Sequence, residues 1–140
     1  MKSDDTQELF SALKESSSIK NYLKMHESVC NSITLVEYLN LLIEKKSIKK
    51  SQVIKNSGLN RIYGYQILSG SKNPSRDKLI CFCFGLELDI IDVQKLLYKG
   101  SYNPLYPKDK RDSIIIYCLC KGKSLLETNL LLDENQVEPL

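Results

Sequence analysis

Helical periodicity, interrupted at short intervals by glycine and proline, is the feature that most constrains the fold of this chain. Leu35, Leu39, Leu42 and Ile43 recur at i, i+4, i+7 and i+8, which is the spacing of one buried helix face. Capping residues and glycine stops divide the chain that follows into short helices, and no fixed-period repeat is present. The pattern therefore predicts an all-α fold.

The expected helix boundaries follow from local signals. A short helix ends near Ser57, Gly58 supplies a turn, and a second helix spans residues 61–69. The β-branched run at 114–118 is assigned to a helix over residues 108–120, since proline and charges precede it and glycine follows. The predicted N-caps are Thr34, Asn60, Ser75, Asp89 and Ser124.

Positive charge is concentrated in one part of the chain. Residues 44–78 contain nine Lys or Arg against Glu44 and Asp77, a net charge of +7, whereas the whole chain has a net charge of +3. Such a window attracts polyanions and steers their approach. A charge run taken alone could equally be a solvated lysine-rich face. The residue pattern inside the window therefore decides between a polyanion-binding surface and a solvated face.

A helix-turn-helix pattern lies inside the basic window. Residues 53–61 read VIKNSGLNR and supply a short helix, a tight glycine turn and a cap, and residues 72–75 read KNPS after the second helix. Apolar residues at core spacing follow. The combination resembles the lambda-repressor-like, XRE-type helix-turn-helix family over about residues 34–98. The resemblance implies a helix-turn-helix bundle that binds double-stranded DNA.

In that family the second helix of the motif enters the major groove, which implies this role for residues 61–69. The base-facing positions fall on Arg61, Ile62 and Gln66. Arg61 can donate two hydrogen bonds to a guanine, and Gln66 can both donate a hydrogen bond to an adenine and accept one from it. Ile62 can contact a thymine methyl group. A solvated side chain is the alternative at each position.

The same resemblance assigns four residues to the DNA backbone. Tyr65 and Ser69 fall near it, and Lys50 and Lys72 fall at or beside phosphate-binding positions. Lysine favours phosphate at such sites through its charge rather than through a forked geometry.

Departures from the family pattern favour a second function. Gly64 occupies the usual apolar core position of the second helix, which suggests that another element packs very close to it, with the rings of Tyr63 and Tyr65 as the candidates. Three aromatic or apolar side chains, Ile62, Tyr63 and Tyr65, lie on a helix expected to face DNA. These features are compatible with a protein ligand in place of DNA.

Residues that most enzyme mechanisms need are scarce. The one histidine, His26, has no Cys or Ser partner nearby in sequence, and the carboxylates are expected on solvated helix faces. Cysteines two residues apart on a helix point about 200° apart, so the two Cys-x-Cys pairs are expected to be core thiols rather than zinc ligands. The sequence predicts no catalytic site, metal or cofactor. Those pairs are Cys81 with Cys83 and Cys118 with Cys120.

No stretch approaches about 18 uncharged apolar residues, and the acidic N-terminus lacks a secretory h-region, so a cytoplasmic protein is expected. The predicted organisation is an N-terminal helical extension at 1–30, with short helices at 6–15 and 18–25, the helix-turn-helix domain at 31–100, and a linker with a C-terminal hairpin at 101–140. That hairpin is expected to pack on the same core. Its last helix is expected to be lined by Leu125, Leu126, Leu130 and Leu131. With Leu132 these leucines exceed what one narrow stripe needs, so some of the five are expected to form a homodimer seam.

The expected function is sequence-specific binding of double-stranded DNA by a transcriptional regulator that performs no chemistry. The alternative is a protein-interaction adaptor or antitoxin-like partner. It would use the same helix or the leucine-rich C-terminal hairpin.

Overall fold

A computed structural model describes residues 33–140, and within that range the chain forms seven α-helices and no strand. The all-α prediction is confirmed for this part of the chain, in which residues 34–140 form one compact unit. The N-terminal extension and its two expected helices lie outside the described residues. The helices are α1 (Leu35–Lys46), α2 (Lys50–Asn56), α3 (Arg61–Ser69), α4 (Arg76–Gly85), α5 (Ile90–Lys99), α6 (Lys110–Cys120) and α7 (Leu125–Glu134).

Side-chain caps determine where most of these helices begin. The Thr34 hydroxyl accepts from the Glu37 N–H while the Glu37 carboxylate accepts from the Thr34 N–H, and Ser124 and Glu127 repeat this capping box at α7. Helix α6 begins two residues later than predicted because Asp109 caps it. All five predicted N-caps are confirmed: Thr34, Asn60, Ser75, Asp89 and Ser124.

Helix α4 is the centre of the core. Every residue from Leu79 to Gly85 is buried, because α2, α5 and α7 all contact this helix. The spacing of Leu79, Phe82, Cys83 and Leu86 predicts a single apolar stripe here. The helix is instead buried on all sides, as expected of one that is apolar all round. Helices α2, α5 and α7 therefore pack directly around α4.

Glycine permits the closest of these contacts. A Cβ at Gly85 would lie 2.0 Å from the Ser57 hydroxyl oxygen and 2.7 Å from the Val53 carbonyl oxygen, so α4 meets the backbone of α2 directly. At Gly64 a Cβ would lie 2.6 Å from a methyl carbon of Ile54. The close approach predicted at Gly64 is confirmed, and the approaching element is α2 rather than a tyrosine ring.

The C-terminal hairpin exposes leucines that were expected to line it. Leu126 is 71% exposed and Leu130 is 57% exposed, whereas Leu132 and Thr128 are buried. Three consecutive leucines span more than one helix face, and the Thr128 hydroxyl is satisfied by a backbone carbonyl one turn earlier, so a polar residue lies on the core side. Leu126 and Leu130 therefore do not contribute to the core of one chain, whereas Leu125 and Leu131 are partly buried.

Three of the four described cysteines are core thiols. Cys81, Cys83 and Cys118 are buried, and burial raises the pKa of Cys81 to about 11. Cys120 is exposed, so the prediction of a core thiol is wrong at this position. The reason is the one that argued against a metal site: Cys120 lies about 200° around α6 from its buried neighbour.

Candidate nucleic-acid interface

The connection between α2 and α3 holds these two helices in contact. Ser57, fully buried at the end of α2, donates its hydroxyl to the Val53 carbonyl at 2.6 Å. Gly58 then adopts φ +65°, a backbone conformation that costs glycine little. Asn60 begins α3 by accepting a hydrogen bond from the Tyr63 N–H. Local chemistry thus defines both ends of the turn.

One face of α3 is open to solvent. Ile62, Tyr65, Gln66 and Ser69 follow the i, i+3, i+4, i+7 spacing of a single helix face, and with Arg61 they line a shallow groove of about 480 Å³. All five of these residues belong to the predicted DNA-binding set. The opposite face of α3, formed by Gly64, Ile67 and Leu68, is buried.

Arg61 lies exposed at the first turn of α3, and its guanidinium carbon is 6.0 Å from the centre of the Tyr65 ring. Within residues 33–140 it forms no ion pair. Since the ring lies one helical turn further along α3, it supports the guanidinium from one side. The donor groups of Arg61 therefore face solvent at the edge of the groove.

The other polar residues of the predicted DNA-binding set differ in position and in how many hydrogen bonds they already form. The Ser69 hydroxyl donates to the Gln66 carbonyl at 3.0 Å, closing the end of α3. Gln66 is half-buried. Lys50 is exposed at the first residue of α2, and Lys72 is exposed in the link after α3.

Electrostatics favour an anionic partner at this surface. Residues 45–76 include no Asp or Glu, and neither α2 nor α3 has an acidic residue in its first turn. The basic window is nevertheless less positive than its sequence suggests, because Arg76 is paired with a carboxylate. The exposed cations that remain are Lys45, Lys46, Lys49, Lys50, Lys55, Arg61 and Lys72.

Arg76 lies outside the groove and is fully engaged. It binds both carboxylate oxygens of Asp112, at 3.2 and 2.9 Å, and donates to the backbone carbonyls of Asn103 and Pro104. Asp112 also accepts from the Tyr106 N–H. The expectation that carboxylates lie on solvated faces is therefore wrong for Asp112, which is buried because it joins α4 to α6 and the linker before it.

Arg111 forms the reciprocal pair. It binds both carboxylate oxygens of Asp77 at 3.0 Å and donates to the carbonyls of Glu138 and Pro139. The hydrogen bond to Asp77 raises the pKa of Arg111. We refer to Arg76, Asp77, Arg111 and Asp112 as the arginine clasp. None of the sequence patterns described above predicts this clasp. The available signal was the Arg-Asp dipeptide repeated at the starts of α4 and α6.

Metal-binding clusters and membrane-spanning helices are both absent from residues 33–140. In the range 33–140 no group of three or more His, Cys, Asp or Glu is placed to hold a metal ion. No helix of that range is long and apolar enough to cross a membrane. Comparisons with protein-family models, curated proteins and solved structures find no match to this chain.

Proposed function

We propose that this protein binds double-stranded DNA sequence-specifically, as a cytoplasmic transcriptional regulator of the XRE helix-turn-helix type. In this view α2 and α3 form the motif, and α3 is the recognition helix in the major groove. The observation that carries the proposal is the outward face of α3, where Arg61 lies exposed and outside any ion pair of the described chain. Occupancy of a DNA site, without chemistry, is the proposed mechanism.

The choice of arginine supports this assignment. The chain contains three arginines, and the clasp uses two of them to join distant elements. Only Arg61 keeps its planar set of donors accessible, and it lies within residues 45–76, a stretch of sequence that contains no Asp or Glu. Guanine presents two acceptors in the major groove in the geometry that this fork matches.

The other residues of the predicted set take roles that match their positions. Gln66 pairs with an adenine edge, while Tyr65 and Ser69 lie beside the DNA backbone. Lys50 and Lys72, at the start of α2 and beyond the end of α3, bind phosphates through charge. Base reading would then be restricted to one face of α3, with positioning contacts on either side.

A homodimer completes the proposed regulator. One recognition helix reads only a few base pairs, so helix-turn-helix proteins pair half-sites about one helical turn apart. Leu126 and Leu130 lie one turn apart on α7 and are the exposed members of the leucine set predicted for the seam. Sedimentation of the full chain at micromolar concentration is expected to show a dimer, and Leu126→Glu is expected to shift it toward monomer.

The experiment that tests DNA binding is a salt titration with a random-sequence duplex. Binding through several lysines should weaken steeply and linearly on a logarithmic scale as salt increases. Lys50→Ala should reduce that slope, whereas Lys110→Ala is the matched control because Lys110 is exposed on α6, outside the basic window. A salt-independent affinity, or equal effects of the two variants, would contradict the proposal.

The exposed apolar residues of the hairpin support a second candidate function, that of a protein-interaction adaptor. Leu126, Leu130 and the half-exposed Tyr117 are available to an apolar partner surface. Binding of this kind would depend little on salt. Loss of a captured partner in Leu126→Glu, with the partner retained in Arg61→Ala, would favour this candidate over DNA binding.

A further inference from the structure

We infer that Asn40 is a positioning residue for the proposed recognition helix: its side-chain amide fixes the C-terminal end of α3 against α1. The inference rests on the proposed function and deepens it, because it names a residue outside the motif on which base discrimination depends. Asn40 lies within α1 and is assigned no contact with DNA.

Asn40 joins two helices through one nitrogen atom. Its Nδ2 donates to the Val36 carbonyl of α1 and to the Leu68 carbonyl of α3, each at 2.9 Å. Because both neighbours are acceptors, only the amide nitrogen can face them, and this determines the orientation of the side chain. Within residues 33–140 the bond to Leu68 is the one hydrogen bond that links α3 to another helix.

The Leu68 carbonyl needs a partner from outside α3. The last four carbonyls of an α-helix receive no hydrogen bond from within the helix. At the end of α3, the Gln66 and Ile67 carbonyls accept from backbone N–H groups of the residues that follow, beginning with Gly70. The Leu68 carbonyl accepts from Asn40 instead. Asn40 therefore completes the C-terminal cap of α3 from a neighbouring helix.

The same side chain weakens the fold in two ways. Its oxygen, Oδ1, is buried and receives no hydrogen bond from residues 33–140, and an unsatisfied buried acceptor is unfavourable. Asparagine is also a poor residue inside a helix, where leucine is a good one. A position that departs from two local rules in a folded protein indicates a requirement other than stability. The requirement that we infer is the placement of α3.

A second half-buried amide shows a purely structural role. Gln94 on α5 donates to the Leu105 carbonyl at 3.0 Å and accepts from the Leu105 N–H at 2.8 Å, so both ends of its amide are used. These bonds hold the linker before α6 rather than the motif. Gln94 is therefore matched to Asn40 in chemistry and differs in the element that it holds.

Base reading is sensitive to small shifts of α3. Side chains that recognise a base must be held within about 0.5 Å of the productive geometry. The buried face of α3, formed by Gly64, Ile67 and Leu68, supplies apolar contacts, which are not directional. A hydrogen bond is directional. The bond from Asn40 therefore selects one placement of α3 among those that apolar packing alone would allow.

The test replaces each amide by leucine in the full chain. Wild-type protein first selects its preferred site from a random-sequence duplex library, and competition binding then measures the preference for that site over a random duplex. We expect this preference to fall by about tenfold in Asn40→Leu, the size of one lost base contact. It should be unchanged in Gln94→Leu. Affinity for the random duplex should be unchanged in both variants, because phosphate binding through charge tolerates a small shift of α3.

Two measurements on the free protein separate positioning from stability. Urea unfolding should give Asn40→Leu a midpoint close to that of the wild type, because removal of the unsatisfied oxygen offsets the lost hydrogen bond. Gln94→Leu should have a lower midpoint, since both backbone polar groups of Leu105 lose their partner. Amide hydrogen exchange at residues 67–70 should be faster in Asn40→Leu and unchanged in Gln94→Leu.

Asn40→Ala, which adds no volume, repeats the comparison if leucine does not fit beside Leu68. A preference for the selected site that stays at the wild-type level in both Asn40 variants would overturn the inference and leave the proposed function intact. An equal loss of affinity for selected and random duplexes would also overturn it, because that is the result of a structural role alone. If wild-type protein enriches no site, the proposed function fails and this inference fails with it.

Discussion

The arginine clasp and the outward face of α3 use the same side chain in opposite ways. In the clasp, Arg76 and Arg111 each bind one carboxylate through two nitrogens and donate further hydrogen bonds to backbone carbonyls. On α3, Arg61 is exposed and contacts an aromatic ring. The difference indicates that an arginine's role is defined by how many of its donors the fold already uses.

The comparison also separates stability from recognition. The clasp joins α4 to α6, the linker and the C-terminal residues, so its removal should affect unfolding first. The face of α3 makes few contacts with the rest of the chain through its outward side chains, so its removal should affect binding first. Substitutions in the two regions should therefore produce separate phenotypes.

The largest effect is expected for Asp112→Ala. This change leaves Arg76 without its carboxylate and the Tyr106 N–H without its acceptor. Breaking a buried ion pair by removing one partner costs about 3 kcal/mol. Urea unfolding should show a decrease in stability of about that size, while the folded protein should bind DNA as the wild type does.

Asp133→Ala is the control for this change, because Asp133 is exposed on α7 and belongs to neither ion pair. Its unfolding free energy should stay within about 0.5 kcal/mol of the wild-type value. Equal stability of the two variants would show that the clasp does not hold the fold together.

The opposite pattern is expected for Arg61→Ala. Affinity for the selected DNA site should fall by about 1–3 kcal/mol, and discrimination at one guanine should relax. The unfolding free energy should change by no more than about 0.5 kcal/mol because the side chain is exposed. Competition over a set of single-base variants measures both affinity and base preference, and an unchanged preference would remove Arg61 from the reading face.

A smaller, sequence-independent effect is expected for Lys50→Ala and for Lys72→Ala. Each lysine is assigned to a phosphate, so each substitution should weaken selected and random duplexes by similar factors. The salt dependence of binding should lose about one unit of slope per lysine. A change in base preference in either variant would mean that the lysine reads sequence rather than phosphate.

The smallest effect concerns Tyr65. Tyr65→Leu removes the ring beside the Arg61 guanidinium, an interaction of about 0.5–1 kcal/mol at exposed sites. The preference for guanine should fall a few-fold in this variant and persist in Tyr65→Phe, which keeps the ring. An equal preference for guanine in Tyr65→Leu and Tyr65→Phe would show that the ring does not contribute to base recognition by Arg61.

Helix boundaries could be predicted because capping is local. Thr34 and Ser124 lie three residues from the glutamates that complete their capping boxes, and Asn60 lies three residues from the amide that it caps. A sequence window of four residues therefore contains the whole interaction.

The clasp and the orientation of α7 could not be predicted from short sequence windows. Arg76 and Asp112 are 36 residues apart, so their pairing depends on how α4 and α6 pack. On α7, the sequence offers more leucines than one face can bury. Leu132 points inward together with Thr128, which can be buried because its hydroxyl finds a local acceptor. The exposure of Leu126 and Leu130 is a result of this tertiary choice.

The crossed connectivity of the clasp has a consequence for how descendants of this sequence can diverge. Position 76 is coupled to 112 and position 77 to 111, so a change at one position is better tolerated when its partner changes too. Within residues 33–140 position 61 has no ion-pair partner, so under the proposed function it can vary independently with the DNA site. Two correlated pairs of positions beside one independently varying position would therefore be the evolutionary signature of this architecture.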